Sequence, residues 1–259
     1  MLVLDLILFI LLLSALVLIF VWLMKKYKKT SFYFVTFFSI SVMLIADYES
    51  LNLFFKLKVI VVVFPIICFA YLQGFNYKIK ENSFLIGFLE IVILVNILMP
   101  AVYSFSYSDY AIFFMGLCLM VSMPNFELNK NGYLGFNDPF WCCIYTFTLI
   151  LGFLRFDGHT EYIIPGIIIL TLGILQPIFT NNWFEWLNFR VYSLYLIITL
   201  DLIARDGNIG FYESILPGLV QHIKLDNTIN VIATCLCMIA CLILVHKKVA
   251  VQQPINLEN

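Results

Sequence analysis

Long uninterrupted apolar runs constrain this chain more than any other feature of its sequence. The first run covers residues 2–24 and is followed at once by four lysines between positions 25 and 29. About 20 consecutive apolar residues cross the hydrocarbon core of a bilayer as one α-helix. We count about nine such segments, with eight as the alternative. The sequence therefore predicts an all-α fold, a polytopic bundle of transmembrane helices.

Charged, polar and proline-containing stretches separate the predicted helices. Their approximate ranges are 2–24, 31–47, 58–74, 83–103, 110–124, 139–155, 162–180, 187–204 and 228–246. The first segment is interpreted as a permanent helix, because it lacks a basic n-region and a small-x-small cleavage site. We predict a single transmembrane domain over 1–246 and a short cytoplasmic tail over 247–259.

The composition excludes several classes of protein. Hydrophobic residues make up 63% of the 259-residue chain and charged residues 12%, whereas soluble domains are about 25% charged. The net charge of -1 leaves no basic surface for nucleic acid. The lipid bilayer is therefore the expected partner, with another membrane protein or a second copy of the chain as open alternatives. No cofactor is predicted.

The distribution of basic residues predicts the orientation of the bundle. Placing the lysines at 25–29 in the cytoplasm puts most of the 15 Lys and Arg residues on the cytoplasmic side. The N-terminus is then outside and the C-terminus inside. The seven cysteines fall within apolar segments and no Asn-x-Ser/Thr sequon occurs. A bacterial inner membrane is the simplest location consistent with these features.

A few polar residues interrupt the predicted helices and are candidates for a substrate-binding site. Glu90 lies about 9–10 Å into the fourth helix, and Asn96 lies farther along the same helix. Arg190 and Asp201 project from nearly the same face of the eighth helix. Ionisable groups inside a membrane usually face protein or water. An internal ion pair between Glu90 and Arg190 is the structural alternative to a site that binds a proton or a substrate.

A second group of polar residues follows the sixth helix on the predicted outer side. Asp157, His159 and Glu161 place two carboxylates and an imidazole within five residues. Such a set could form a polar surface site, but its spacing matches no zinc pattern, so no metal is predicted. A solvated turn is the alternative interpretation.

Three tryptophans are predicted to anchor the bundle at the membrane interface. Trp183 and Trp186 follow the Asn181-Asn182 turn, and Trp141 lies near the start of the sixth helix. Residues 205–227 form the longest loop. Its apolar residues recur at helical spacing, which is typical of a short interfacial helix, although a packed loop explains them equally well.

Several short strings resemble an uncharacterised bacterial family of polytopic membrane proteins, a domain of unknown function. They are Asn96-Ile97-Leu98, Asp138-x-x-Trp141, Asp157-Gly158-His159, Pro177, Trp186-Leu187-Asn188-Phe189-Arg190 and Ser193-Leu194. The best stretch covers about residues 138–195. The resemblance implies a multi-pass membrane protein without an assigned activity, and it draws attention to Trp141, His159, Trp186 and Arg190.

Three functions are compatible with this sequence. The favoured one is a small-solute or proton-coupled transporter, in which Glu90 exchanges a proton or pairs with a cationic substrate and Arg190 anchors it. The second is a membrane enzyme acting on a lipid or quinone near the His159 loop. The third is a non-catalytic subunit or assembly partner. An enzyme is the less favoured class, because no nucleophile with a base and no nucleotide motif is found.

Overall fold

The fold is a bundle of α-helices with one small β-hairpin. A computed structural model describes residues 2–45, 53–75, 83–129, 133–155, 163–204, 212 and 227–252, which contain nine helices. The helices are α1 (Leu2–Lys26), α2 (Lys28–Ile45), α3 (Leu53–Gly74), α4 (Ser83–Ser106), α5 (Tyr110–Val121), α6 (Pro139–Arg155), α7 (Ile163–Thr180), α8 (Phe184–Ala204) and α9 (Asn227–Gln252). The predicted all-α class is confirmed.

Six of the described helices are long and apolar enough to cross a membrane: α1, α3, α4, α7, α8 and α9. The chain is therefore a helical membrane protein. Helix α5 has 12 residues, which is about 18 Å and well short of a hydrocarbon core of about 30 Å. Helix α6 has 17 residues, and α2 begins with two lysines. The prediction of nine spans is thus supported for six segments.

Two helix boundaries differ from the predicted ones by five residues or more, and the structure adds a hairpin. Helix α3 begins at Leu53 rather than at residue 58, so Lys58 lies inside the helix. Helix α9 continues to Gln252, through the start of the segment predicted as a tail. The β-hairpin of β1 (Glu127–Leu128) and β2 (Leu134–Gly135) was not predicted. The predicted interfacial helix at 205–227 lies outside the described residues, except for Tyr212 and Asn227.

Contacts between helix ends show that successive helices run in opposite directions. Lys25 at the end of α1 pairs with Glu185 at the start of α8, and Lys247 in α9 pairs with Asp138 just before α6. We call the end that holds these contacts the basic end. At the opposite end, Arg155 pairs with Asp109, the N-cap residue of α5.

Helix α8 occupies the centre of the bundle. In its most apolar stretch 67% of the residues are buried, compared with 17% in the corresponding stretches of α1 and α4. It packs against α1, α2, α3 and α7, and it also contacts β2. The hairpin is held by the Asn188 amide, which donates to the Leu134 carbonyl. Polar groups carried by α8 therefore face protein, which positions them for a site inside the bundle.

Candidate solute-binding cavity

A cavity of about 150 Å³ lies among helices α3 to α8. One water molecule needs about 10–15 Å³ by the same measure, so this space is large enough for a small organic molecule. Most of its wall is aliphatic. Its polar side chains are Lys58, Asn96, Tyr103, Tyr145, Thr148 and Arg190.

Arg190 is the most unusual group in this cavity. The Nη1 atom of its guanidinium is buried and has no hydrogen-bond partner among the described residues. The guanidinium lies over the rings of Tyr145 and Trp186, with its Cζ atom 5.2 Å and 5.8 Å from their centroids. These cation–π contacts offset only part of the cost of burying a charge. A buried cation at a cavity wall without an acidic partner in the described chain indicates a functional role.

A second cation reaches the same cavity from α3. The Lys58 Nζ donates to the Asn96 Oδ1 at 2.8 Å, and the Asn96 Nδ2 donates to the Val92 carbonyl at 3.1 Å. The amide dipole of Asn96 therefore holds the ammonium in place without neutralising it. An ammonium has three donors, so Lys58 retains the capacity to bind a further acceptor.

No aspartate or glutamate lines the cavity within the described part of the chain. Glu90 is half-buried on α4 but does not line the cavity, and no ion pair joins it to Arg190. The predicted Glu90–Arg190 pair is therefore wrong. Asp201 is fully buried on α8 but also lies outside the cavity wall.

Two close helix contacts shape the cavity wall. A Cβ at Gly116 of α5 would lie 2.6 Å from the Cβ of Ala101 on α4. A Cβ at Gly166 of α7 would lie 2.9 Å from the Phe153 ring on α6. Small residues allow helices in membranes to approach this closely. These contacts fix α4 to α5 and α6 to α7 around the cavity.

A cluster of aromatic rings lies between the cavity and the basic end. The Trp141 ring stacks on Tyr145 with centroids 5.2 Å apart, and it meets Trp186 edge-on at 5.9 Å. Trp141 is 0% exposed and Trp186 1%, so the prediction that both are interfacial anchors is wrong. Their indole N–H groups donate to the Leu119 carbonyl and the Thr146 hydroxyl, which explains their place in the core. Trp183 is half-buried.

Beyond this aromatic cluster lies a buried polar network centred on Glu185. Its Oε2 accepts from Lys25 Nζ at 2.5 Å and from Gln176 Nε2 at 2.9 Å. Asn182 Nδ2 donates to the other carboxylate oxygen at 3.4 Å. The Glu185 charge is therefore neutralised by Lys25, and not by Arg190 five residues later on the same helix. This network joins the ends of α1 and α7 to the start of α8.

Tyr133, beside the hairpin, completes the basic end. Its ring lies under the ammonium groups of Lys28 and Lys25, at 4.3 Å and 5.6 Å. Burial, and to a smaller extent the Glu185 carboxylate, raises the pKa of the Tyr133 phenol above its ordinary value. The phenol is therefore neutral at physiological pH, and the ring serves the two lysines as a cation–π surface.

The structure thus brings together two of the predicted site residues, Asn96 and Arg190. The other candidates, Asp157, His159 and Glu161, lie outside the described residues. Sequence reasoning missed Lys58 and Tyr145. The signal for Lys58 was its position directly before a charge-free apolar run, whereas nothing in the sequence marked Tyr145 as the neighbour of Arg190.

No family model, curated protein or solved structure matches this chain. The resemblance to the uncharacterised membrane family therefore stays a prediction. No group of His, Cys, Asp and Glu side chains suited to a metal occurs among the described residues. Fold and site together define a polytopic helical membrane protein with a cationic cavity inside its bundle.

Proposed function

We propose that this chain is a membrane transporter that binds a small solute in the cavity among α3 to α8. The observation that carries the proposal is the Arg190 side chain, which lines this space and whose buried Nη1 has no hydrogen-bond partner in the described chain. Charged groups inside membrane proteins commonly mark solute pathways. A purely structural arginine in this position would be expected to have a carboxylate or carbonyl partner.

The proposal includes the orientation predicted from the sequence. The basic end, with Lys25, Lys28, Lys247 and Lys248, faces the cytoplasm of a bacterial inner membrane, in accordance with the positive-inside rule. Asn96, Tyr103 and Gly166 line the cavity in the outer halves of their helices. The aromatic cluster and the Glu185 network separate the cavity from the cytoplasm. In this proposal they form the inner barrier, which must open during transport.

The test is accessibility of the cavity from each side of the membrane. Leu149 lines the cavity on α6, so Leu149→Cys places a reactive thiol inside it. Membrane-impermeant methanethiosulfonates, one cationic and one anionic, are applied to right-side-out or inside-out vesicles. Modified peptides are identified by mass spectrometry, with the wild-type protein as background for the seven native cysteines. The control is Val17→Cys, which is fully buried on α1 and does not line the cavity.

A transporter exposes its site alternately to both sides. We therefore expect at least one of the two reagents to modify Leu149→Cys from either side, and Val17→Cys to remain unmodified. Modification from one side only, or from neither, would overturn the proposal. The first result would indicate a receptor-like binding site and the second a structural void.

A further inference from the structure

The charges that face the cavity all have the same sign. Lys58 and Arg190 contribute cations, and no acidic side chain in the described chain lines the space. Lys58 and Arg190 also repel each other, because they carry the same charge and interact through the low-dielectric interior of the protein. A bound anion would relieve both the repulsion and the unmet hydrogen-bonding capacity of the guanidinium.

The number of donors limits the kind of anion that fits. Besides Arg190, the available donors are the remaining N–H groups of Lys58 and the hydroxyl of Tyr145. The Tyr103 hydroxyl already donates to the Tyr107 hydroxyl. The Thr148 hydroxyl is not counted among these donors, because it donates to the Ile144 carbonyl and also contacts the Cys237 thiol. A guanidinium pairs with two oxygens of either a carboxylate or a phosphate, but a phosphate dianion brings more acceptor oxygens than this small set of donors can satisfy. The donor set therefore favours a carboxylate.

The walls limit the rest of the solute. Ile97, Leu194 and Ile198 line the cavity together with other aliphatic side chains and form a surface without hydrogen-bonding groups. A strongly hydrated solute would lose its water there without replacement, which is unfavourable. An aliphatic or aromatic body would instead gain free energy by burial.

Resting on the proposed function, we infer that the solute is a small monocarboxylate with an apolar body. Its carboxylate binds Arg190 and Lys58, and its apolar body lies against the walls of α4, α6, α7 and α8. This assignment replaces the cationic substrate that pairing with Glu90 would imply.

The experiment is calorimetric binding of hexanoate to the purified full-length protein in detergent, compared with hexanol and hexylamine. We expect binding of hexanoate alone. Arg190→Met and Lys58→Met should each weaken it by about tenfold to a hundredfold, the value of a hydrogen bond to a charged group. Lys56→Met is the matched control, because Lys56 lies two residues from Lys58 but does not line the cavity, and it should bind as the wild type does.

Arg190→Lys and Lys58→Gln extend the test should a methionine variant fail to fold. Arg190→Lys keeps the charge but loses the planar fork, and it should retain weak binding. Equal binding of hexanol, preferred binding of hexylamine, or no binding of hexanoate would overturn the inference. So would unchanged binding in the Arg190 and Lys58 variants.

The two proposals fail in different ways. Two-sided labelling of Leu149→Cys without hexanoate binding would leave transport standing and remove the carboxylate. Hexanoate binding that depends on Arg190, with labelling from one side only, would leave the carboxylate site standing and remove transport. Protection of Leu149→Cys from labelling by hexanoate would support both.

Discussion

Among individual residues, Arg190 and Glu185 differ most in how their buried charges are compensated. They are five positions apart on α8. Glu185 has Lys25 as counter-ion and accepts two further hydrogen bonds. Arg190 has aromatic faces and an unpartnered Nη1. Breaking a buried ion pair costs about 3–5 kcal/mol, whereas removing an uncompensated charge relieves a desolvation cost.

We therefore predict opposite effects on stability for two substitutions on the same helix. Arg190→Met should leave the melting temperature unchanged or raise it, because the lost cation–π contacts contribute only about 0.5–2 kcal/mol. Glu185→Gln should lower the free energy of unfolding by about 3 kcal/mol, because Lys25 then lacks its counter-ion. Thermal unfolding of the detergent-solubilised variants checks both. If Arg190→Met were as destabilised as Glu185→Gln, Arg190 would be a structural residue and the binding site would lose its main support.

Pairs of helices show where packing, rather than charge, maintains the cavity. Gly116 and Gly87 are both helical glycines, on α5 and α4. A Cβ at Gly116 would meet Ala101 at 2.6 Å, whereas one at Gly87 would meet nothing within 4 Å. An alanine at either position changes helix propensity in the same way, but only at Gly116 does it also disturb close packing. Comparing the two variants therefore separates the two effects on stability.

Gly116→Ala should destabilise the protein by about 1–3 kcal/mol, because α4 and α5 must move apart. Adding Ala101→Gly should restore part of that loss, since it removes the other half of the contact. Gly87→Ala should be neutral or stabilising by up to about 1 kcal/mol, since alanine is the better helix former. Melting temperatures of the four proteins provide the measurement. Equal effects of Gly116→Ala and Gly87→Ala would contradict the close contact of α4 with α5.

At the scale of the whole molecule, the asymmetry of charge predicts how the bundle sits in the membrane. Tyr107, just before α5, has 63% of its surface exposed at the opposite end. Lys247, at the basic end, has 62% of its side chain exposed. In intact cells an impermeant thiol reagent should modify Tyr107→Cys, whereas Lys247→Cys should react only after permeabilisation. The reverse pattern would invert the proposed orientation, and with it the assignment of the inner barrier.

The candidate site could be predicted from the sequence only in part. Asn96 and Arg190 are recognisable because a polar residue within an apolar run is costly in a bilayer, so its position alone indicates a role. Which groups meet depends on the rotation of each helix about its axis. The expectation that Glu90 would meet Arg190 relied only on their similar depth in the membrane, and the structure shows no ion pair between them. Trp141 and Trp186 were expected at the interface from residue type, whereas packing places them in the core.

The sequence by itself determined the class of protein and the helical fold. Apolar runs of membrane-spanning length leave helices as the way to satisfy the backbone hydrogen bonds, whatever the neighbouring helices do. The tertiary structure decided the cavity, the pairing of Lys25 with Glu185 and the isolation of Arg190. Those features depend on contacts between residues far apart in the chain. Helix periodicity limits such contacts, but only the packing of all the helices together fixes them.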